Sequence, residues 1–135
     1  MPGLILKLGP GERFIVNGVV MENGSRRARL NILTADSNVL RLRDAIHPDE
    51  ANTPVRRVCY IAQLVLAGEV KEEEAQEQLL SGIDQLSQVF DDADSVGRLQ
   101  DARGAVEELR FYQALKALRK LLELEDQLMA MARPS

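Results

Sequence analysis

Arginines set two residues apart are the side chains in this sequence best suited to a chemical task. They fall in the stretch Asn23 to Arg43, NGSRRARLNILTADSNVLRLR. Side chains alternate faces along a β-strand. A strand over Arg26–Leu33 then puts Ala28, Leu30 and Ile32 on one face and Arg27, Arg29 and Asn31 on the other. In a strand over Val39–Arg43, Leu40 and Leu42 oppose Val39, Arg41 and Arg43. If the leucine faces close a core, Arg27, Arg29, Arg41 and Arg43 stand on one solvent-facing sheet surface, where they repel one another unless an anion meets them. Guanidiniums grip phosphate in a fork and stack on bases, and arginine supplies eight of the nine cations in residues 1–57. Lys7, Arg26, Arg56 and Arg57 complete the candidate set for a polyanion. The competing reading is a solvated strand face. Only Phe14 among the aromatics lies in this half, so base stacking on a sheet aromatic is not expected.

Other chemistry is poorly provided for. The one histidine, His47, precedes Pro48 in an expected loop, and no nucleophile motif or Gly-rich phosphate loop is present. The reading is therefore non-enzymatic, with no cofactor and no metal. Asp91-Asp92-Ala93-Asp94 has the outline of a calcium loop, with Gly97 correctly placed. Val96 fills a ligand position, however, and Arg103 stands where a bidentate glutamate is required, so helix capping accounts better for these aspartates. Cys59 reads as a small buried hydrophobe.

The elements that must position the arginines come first in the chain. Leu4–Leu8 reads as a strand, followed by a loop at Gly9-Pro10-Gly11 and a strand over Glu12–Val16. Asn17-Gly18 and Asn23-Gly24 are hairpin turns flanking a short strand, Val19–Glu22. The two arginine-bearing strands follow, joined by a loop over Thr34–Asn38. Five short strands with tight turns predict an antiparallel meander or small barrel.

From residue 44 the period changes and helical spacing follows. Thr53-Pro54 starts a helix that runs to Ala67 and stops at Gly68, with Val55, Val58, Ala62 and Val65 on its apolar face. A second, over Lys71–Phe90, carries Ala75, Leu79, Ile83, Leu86 and Phe90 on one stripe. After a loop at Asp91–Ser95, a third helix presents Val96, Leu99, Val106 and Leu109, and a fourth begins near Phe111. The fold class is α+β: a five-stranded antiparallel module over residues 1–46, then a bundle of about four helices over 47–135.

Charge follows the same division. Residues 1–57 hold nine Lys and Arg against six Asp and Glu, a net of +3, whereas residues 58–135 hold eight against fifteen, a net of −7. Halves of opposite charge suit different partners. The composition is that of a soluble globular protein, with 45% hydrophobic and 28% charged residues. No apolar run spans a bilayer and no leader opens the chain, so a cytoplasmic protein with no membrane partner is expected. The last helix has an apolar surface wider than one neighbour covers. Leu124, Leu128 and Met131 form a continuous seam that is either core or an interface with a second chain. A sheet this small buries little by itself, so a homodimer is expected unless the helices cover it.

Four blocks carry a resemblance across nearly the whole chain: GERFIVNGVVMENGSRRARL, VLRLRD, EANTPVRRV and ALKALRKLLELED. They closely resemble the FlbT family of flagellum biosynthesis repressors. That resemblance implies a cytoplasmic bacterial regulator acting after transcription. It would bind the 5′ untranslated region of flagellin mRNA and repress translation or promote decay, although the sign of regulation does not transfer between members. The rival reading is a protein-interaction factor or chaperone-like partner of flagellin, with indirect effects on mRNA. Residues 4–46 alone, through LILKLGPGERFIVNG, RARLNI and VLRLRDAI, are similar to the carbon storage regulator family. Those proteins are five-stranded RNA binders that form intertwined dimers and recognise GGA in hairpin loops. This similarity places an RNA-contacting arginine at Arg43. It departs from the family at Leu8, where a second arginine is usual, and leaves Lys7 as the neighbouring cation.

Overall fold

A computed structural model describes residues 4–34 and 37–132. The strands are β1 (Leu4–Leu8), β2 (Arg13–Val16), β3 (Val19–Glu22), β4 (Ala28–Ile32) and β5 (Val39–Arg41). Four helices follow: α1 (Pro54–Leu66), α2 (Glu72–Ser87), α3 (Ala93–Glu107) and α4 (Phe111–Ala132). The chain is α+β, with its strands first. Of the expected loop over Thr34–Asn38, Ala35 and Asp36 lie outside the described residues.

The expected single meander or barrel is instead two sheets. One pairs β1 with β4, and the other has the order β3-β2-β5. The hairpin at Asn17-Gly18 forms as expected, with both residues at positive φ. Asn17 also exchanges hydrogen bonds with Asn38, so this turn anchors the entry to β5.

Burial shows why two sheets form. Leu6, Leu8, Phe14 and Val39 make a small core between the sheets. Ile15 and Leu40, on the opposite face of β2 and β5, belong to the larger core of the helices. Strands β2 and β5 are thus covered on both faces, whereas β3 at the sheet edge is exposed. Leu40 is buried as its leucine face required, but Leu42 is exposed, and Val39 on the opposite face is buried too, because a strand between two apolar layers buries both sides. Within one chain the second sheet covers the leucines of β1 and the helices cover Leu40, which removes an exposed leucine face as a reason for dimerisation. Tyr112 of α4 packs against both cores and joins them.

Helix ends follow local chemistry. Thr53 caps α1 by accepting from the Arg56 N–H at 3.3 Å, with Pro54 at the first helical position. The buried Glu125 of α4 accepts from the Val55 N–H at 3.0 Å and from the Thr53 hydroxyl, placing a carboxylate at the positive end of α1. Past α1, Gly68 takes φ 79°, and the N–H groups of Gly68 and Glu69 return to Val65 and Leu64. After α3 the same motif recurs with Leu109, a side-chain-bearing residue, at φ 61°.

The third helix departs from expectation at its start and its face. Asp92 caps it by accepting from the Ser95 N–H at 3.0 Å, so the helix begins inside the stretch read as loop. It buries Ser95, Leu99, Ala102 and Val106, leaving Val96 and Leu109 exposed. Small residues at 95 and 102 let the neighbouring helices approach. A pattern built on large apolar residues alone overlooks them.

Candidate nucleic-acid interface

The register of β1 and β4 builds the site. Leu4, Leu6 and Leu8 lie opposite Ile32, Leu30 and Ala28, so the faces turned to the small core are matched. Lys7 then lies directly opposite Arg29 on the outer face. Like charges in that relation are destabilising without an intervening anion. Arg27, one residue ahead of β4, and Arg43, in the 3-10 turn Leu42–Asp44 that follows β5, line the same concavity as Lys7 and Arg29. Its volume is about 420 Å³. Lys7, Arg27 and Arg29 are exposed and meet no carboxylate among the described residues. The Arg43 side chain is 61% exposed and only grazes Glu12 and Asp44, at 3.9 and 4.0 Å.

The other predicted cations are placed differently. Arg41 does not share this face. Its register partner is Phe14, so its side chain enters the seam between the sheets. There its Nε and Nη2 donate to Glu12 at 2.6 and 2.7 Å, and Nη2 also donates to the Lys7 carbonyl at 2.6 Å. Those bonds tie β5, β1 and the loop before β2 together. The hydrogen bonds from Arg41, reinforced by the Gly9 N–H at 3.0 Å, hold the Glu12 carboxyl down at about 2. Arg41 is a clasp between sheets. Because the 3-10 turn ends β5 at Arg41, Arg43 reaches the concavity from the turn and not from a strand face.

Arg26 is exposed beside the turn, where its carbonyl accepts from Asn23. Arg56 pairs with Asp126 of α4 at 3.0 Å, and Arg57 donates to the Asn52 carbonyl. Arg57 also lines an apolar groove of about 680 Å³ between α1 and α2, with Val58, Ile61, Leu86 and Val89. On α4, Leu124 is half-buried against the helical core, whereas Leu128 and Met131 are exposed. That seam is therefore core at one end and open surface at the other.

Sequence reading named Lys7 but could not pair it with Arg29, since pairing is a property of register. Glu12, which neutralises Arg41, went unremarked because its partner lies 29 residues away. Cys59 is buried as expected, and burial pushes its thiol up to about 12, which keeps it protonated. No group of acidic, histidine or cysteine side chains among the described residues could hold a metal.

Fold and surface together define a small α+β protein with a cationic β face set on an acidic helical bundle. A sequence profile described as "Flagellar protein FlbT" matches residues 4–129, and the chain belongs to that family. It is 35% identical over 124 residues to the probable flagellum biosynthesis repressor protein FlbT of Caulobacter sp. strain K31, covering 92% of this chain and 94% of that one. The flagellum biosynthesis repressor protein FlbT of Caulobacter vibrioides is 33% identical, with 92% of this chain and 87% of the relative covered. A probable FlbT repressor of Allorhizobium ampelinum is 32% identical, with 93% and 83% covered. No solved structure matches the chain with significance. Among the described residues, no helix is long and apolar enough to cross a membrane.

Proposed function

We propose that this chain is a non-enzymatic, cytoplasmic regulator of flagellum biogenesis. It binds the 5′ untranslated region of flagellin mRNA and represses translation or promotes decay. The observation that carries the reading is the direct opposition of Lys7 and Arg29 on the outer sheet face, with Arg27 and Arg43 around the same concavity. Unneutralised cations held that close favour a phosphate backbone between them. The relatives' names supply the process, repression of flagellum biosynthesis. Titration of a flagellin leader RNA against wild type and an Arg27→Gln/Arg29→Gln variant tests it. Phosphate binding predicts affinity falling log-linearly with salt in the wild type, with a shallower slope in the variant. Equal affinity and slope for both proteins would refute the assignment.

The second reading, a protein partner such as flagellin or another flagellar regulator, is favoured by the apolar groove between α1 and α2 and by exposed Leu128 and Met131. Docking there would respond little to salt. Homodimerisation now has a different basis from the leucine face. Edge strand β3 exposes Val19, Val20 and Met21, and its outer edge, unpaired among the described residues, is one that a second copy could meet.

A further inference from the structure

A second concavity, of about 500 Å³, shares Arg43 with the first. It lies between the 3-10 turn after β5 and α4 from Tyr112 to Asp126. Tyr112, Lys116, Arg119 and Lys120 of α4 line it. Helical spacing of four and three residues brings these side chains onto one strip. Arg119 pairs with Asp44 at 2.8 Å and so pins α4 to the turn that carries Arg43. The Lys116 ammonium stands 5.8 Å from the centre of the Tyr112 ring. Lys116 and Lys120 are exposed, one helical turn apart, and meet no carboxylate among the described residues. Of the acidic groups in this cleft, Asp44 is held by Arg119 and Asp126 by Arg56, which leaves Glu123 without an ion pair among the described residues. Within a half of the chain whose net charge is −7, these two lysines border the cleft that shares Arg43 with the arginine face.

We infer that the polyanion track does not end on the β-sheet but turns at Arg43 and continues along α4. There Lys116 and Lys120 hold the phosphates of the same single RNA strand. This inference rests on the sheet-face reading and adds a second subsite to it. A strand long enough to occupy both concavities gains contacts that a short one lacks. Continuity through Arg43 makes one ligand, rather than two, the natural occupant.

The test uses the full chain and labelled oligouridylates of about 4 and about 16 nucleotides, the range a compact single-strand binder covers. Wild type should bind the longer oligomer more tightly. Lys116→Gln/Lys120→Gln should keep short-oligomer affinity and lose roughly 10- to 30-fold for the long one at about 0.1 M salt. The slope of log affinity against log salt should become shallower by roughly 1.4, about 0.7 for each lysine. Arg27→Gln/Arg29→Gln should weaken both oligomers. Unchanged long-oligomer binding in the lysine variant would overturn the extension and leave the sheet reading standing. Equal weakening of both oligomers by the lysine variant would also overturn it, because the lysines would then act only through the general field. If the arginine variant binds both oligomers like wild type, the sheet reading and the extension fall together. Displacement of the long oligomer by polyglutamate as readily as by unlabelled RNA would point to an acidic protein instead and would overturn the inference.

Discussion

Arg41 and Arg43 are two residues apart and do different work. Arg41→Ala strips the Glu12 carboxylate of its charged partner and should cost about 1.5–3 kcal/mol in denaturant unfolding, since hydrogen bonds to charged groups carry that order of energy. Arg43→Ala should leave the unfolding midpoint within about 0.5 kcal/mol while weakening RNA by about 1–3 kcal/mol. Equal stability losses in the two variants would show that the clasp is misassigned. The clasp also sets an acid limit. Because Glu12 is held down from 4.5 to about 2, the folded state favours the carboxylate. Its contribution is complete above the ordinary carboxylate value and is lost as pH falls from about 4.5 towards 2. Arg41→Ala should therefore flatten the stability profile across that window, as read by urea midpoints at successive pH values. The arginines themselves were legible in the sequence by type and spacing. Their division into clasp and surface was not, because strand alternation names two faces and cannot say that a second sheet covers one of them.

Helices were more legible than the sheet, because their signals are local. Thr53-Pro54 and Gly68 mark both ends of α1 in three residues. The boundary between α3 and α4 carries no such mark, yet Leu109 adopts the left-handed conformation that glycine takes without cost. Leu109→Gly should raise stability by up to about 1–2 kcal/mol, the order of the left-handed penalty, because the side chain it removes is already exposed. A lowered thermal midpoint would mean that Leu109 contributes packing that outweighs its strain. At α2 the opposite holds, since a Cβ on Gly82 would come within 2.8 Å of Val58 Cγ2. That glycine lets α1 and α2 pack closely, a role nothing nearby in the sequence announces. Strand pairing was the least legible feature. Which strands become neighbours depends on the helices that arrive later in the chain.

For the whole molecule, the consequence lies in β2. It is hydrogen-bonded along both edges, by β3 and β5, and its two faces contribute Phe14 to the small core and Ile15 to the helical core. With Ile15 and Leu40 inside the helical core and Tyr112 touching both, separating residues 1–46 from the helices would strip one wall from that sheet. Heat unfolding of the intact chain should therefore follow one transition by both strand and helix signals. Amide deuteration resolves the same point residue by residue. The β2 amides should exchange only through opening of the entire chain, as slowly as those of the buried helices, while the outward amides of edge strand β3 exchange within the dead time. Strand amides in β2 that exchanged far faster than those of α4 would mean that the basic layer breathes independently. The proposed RNA surface would then be ordered by its ligand and not by the helices beneath it.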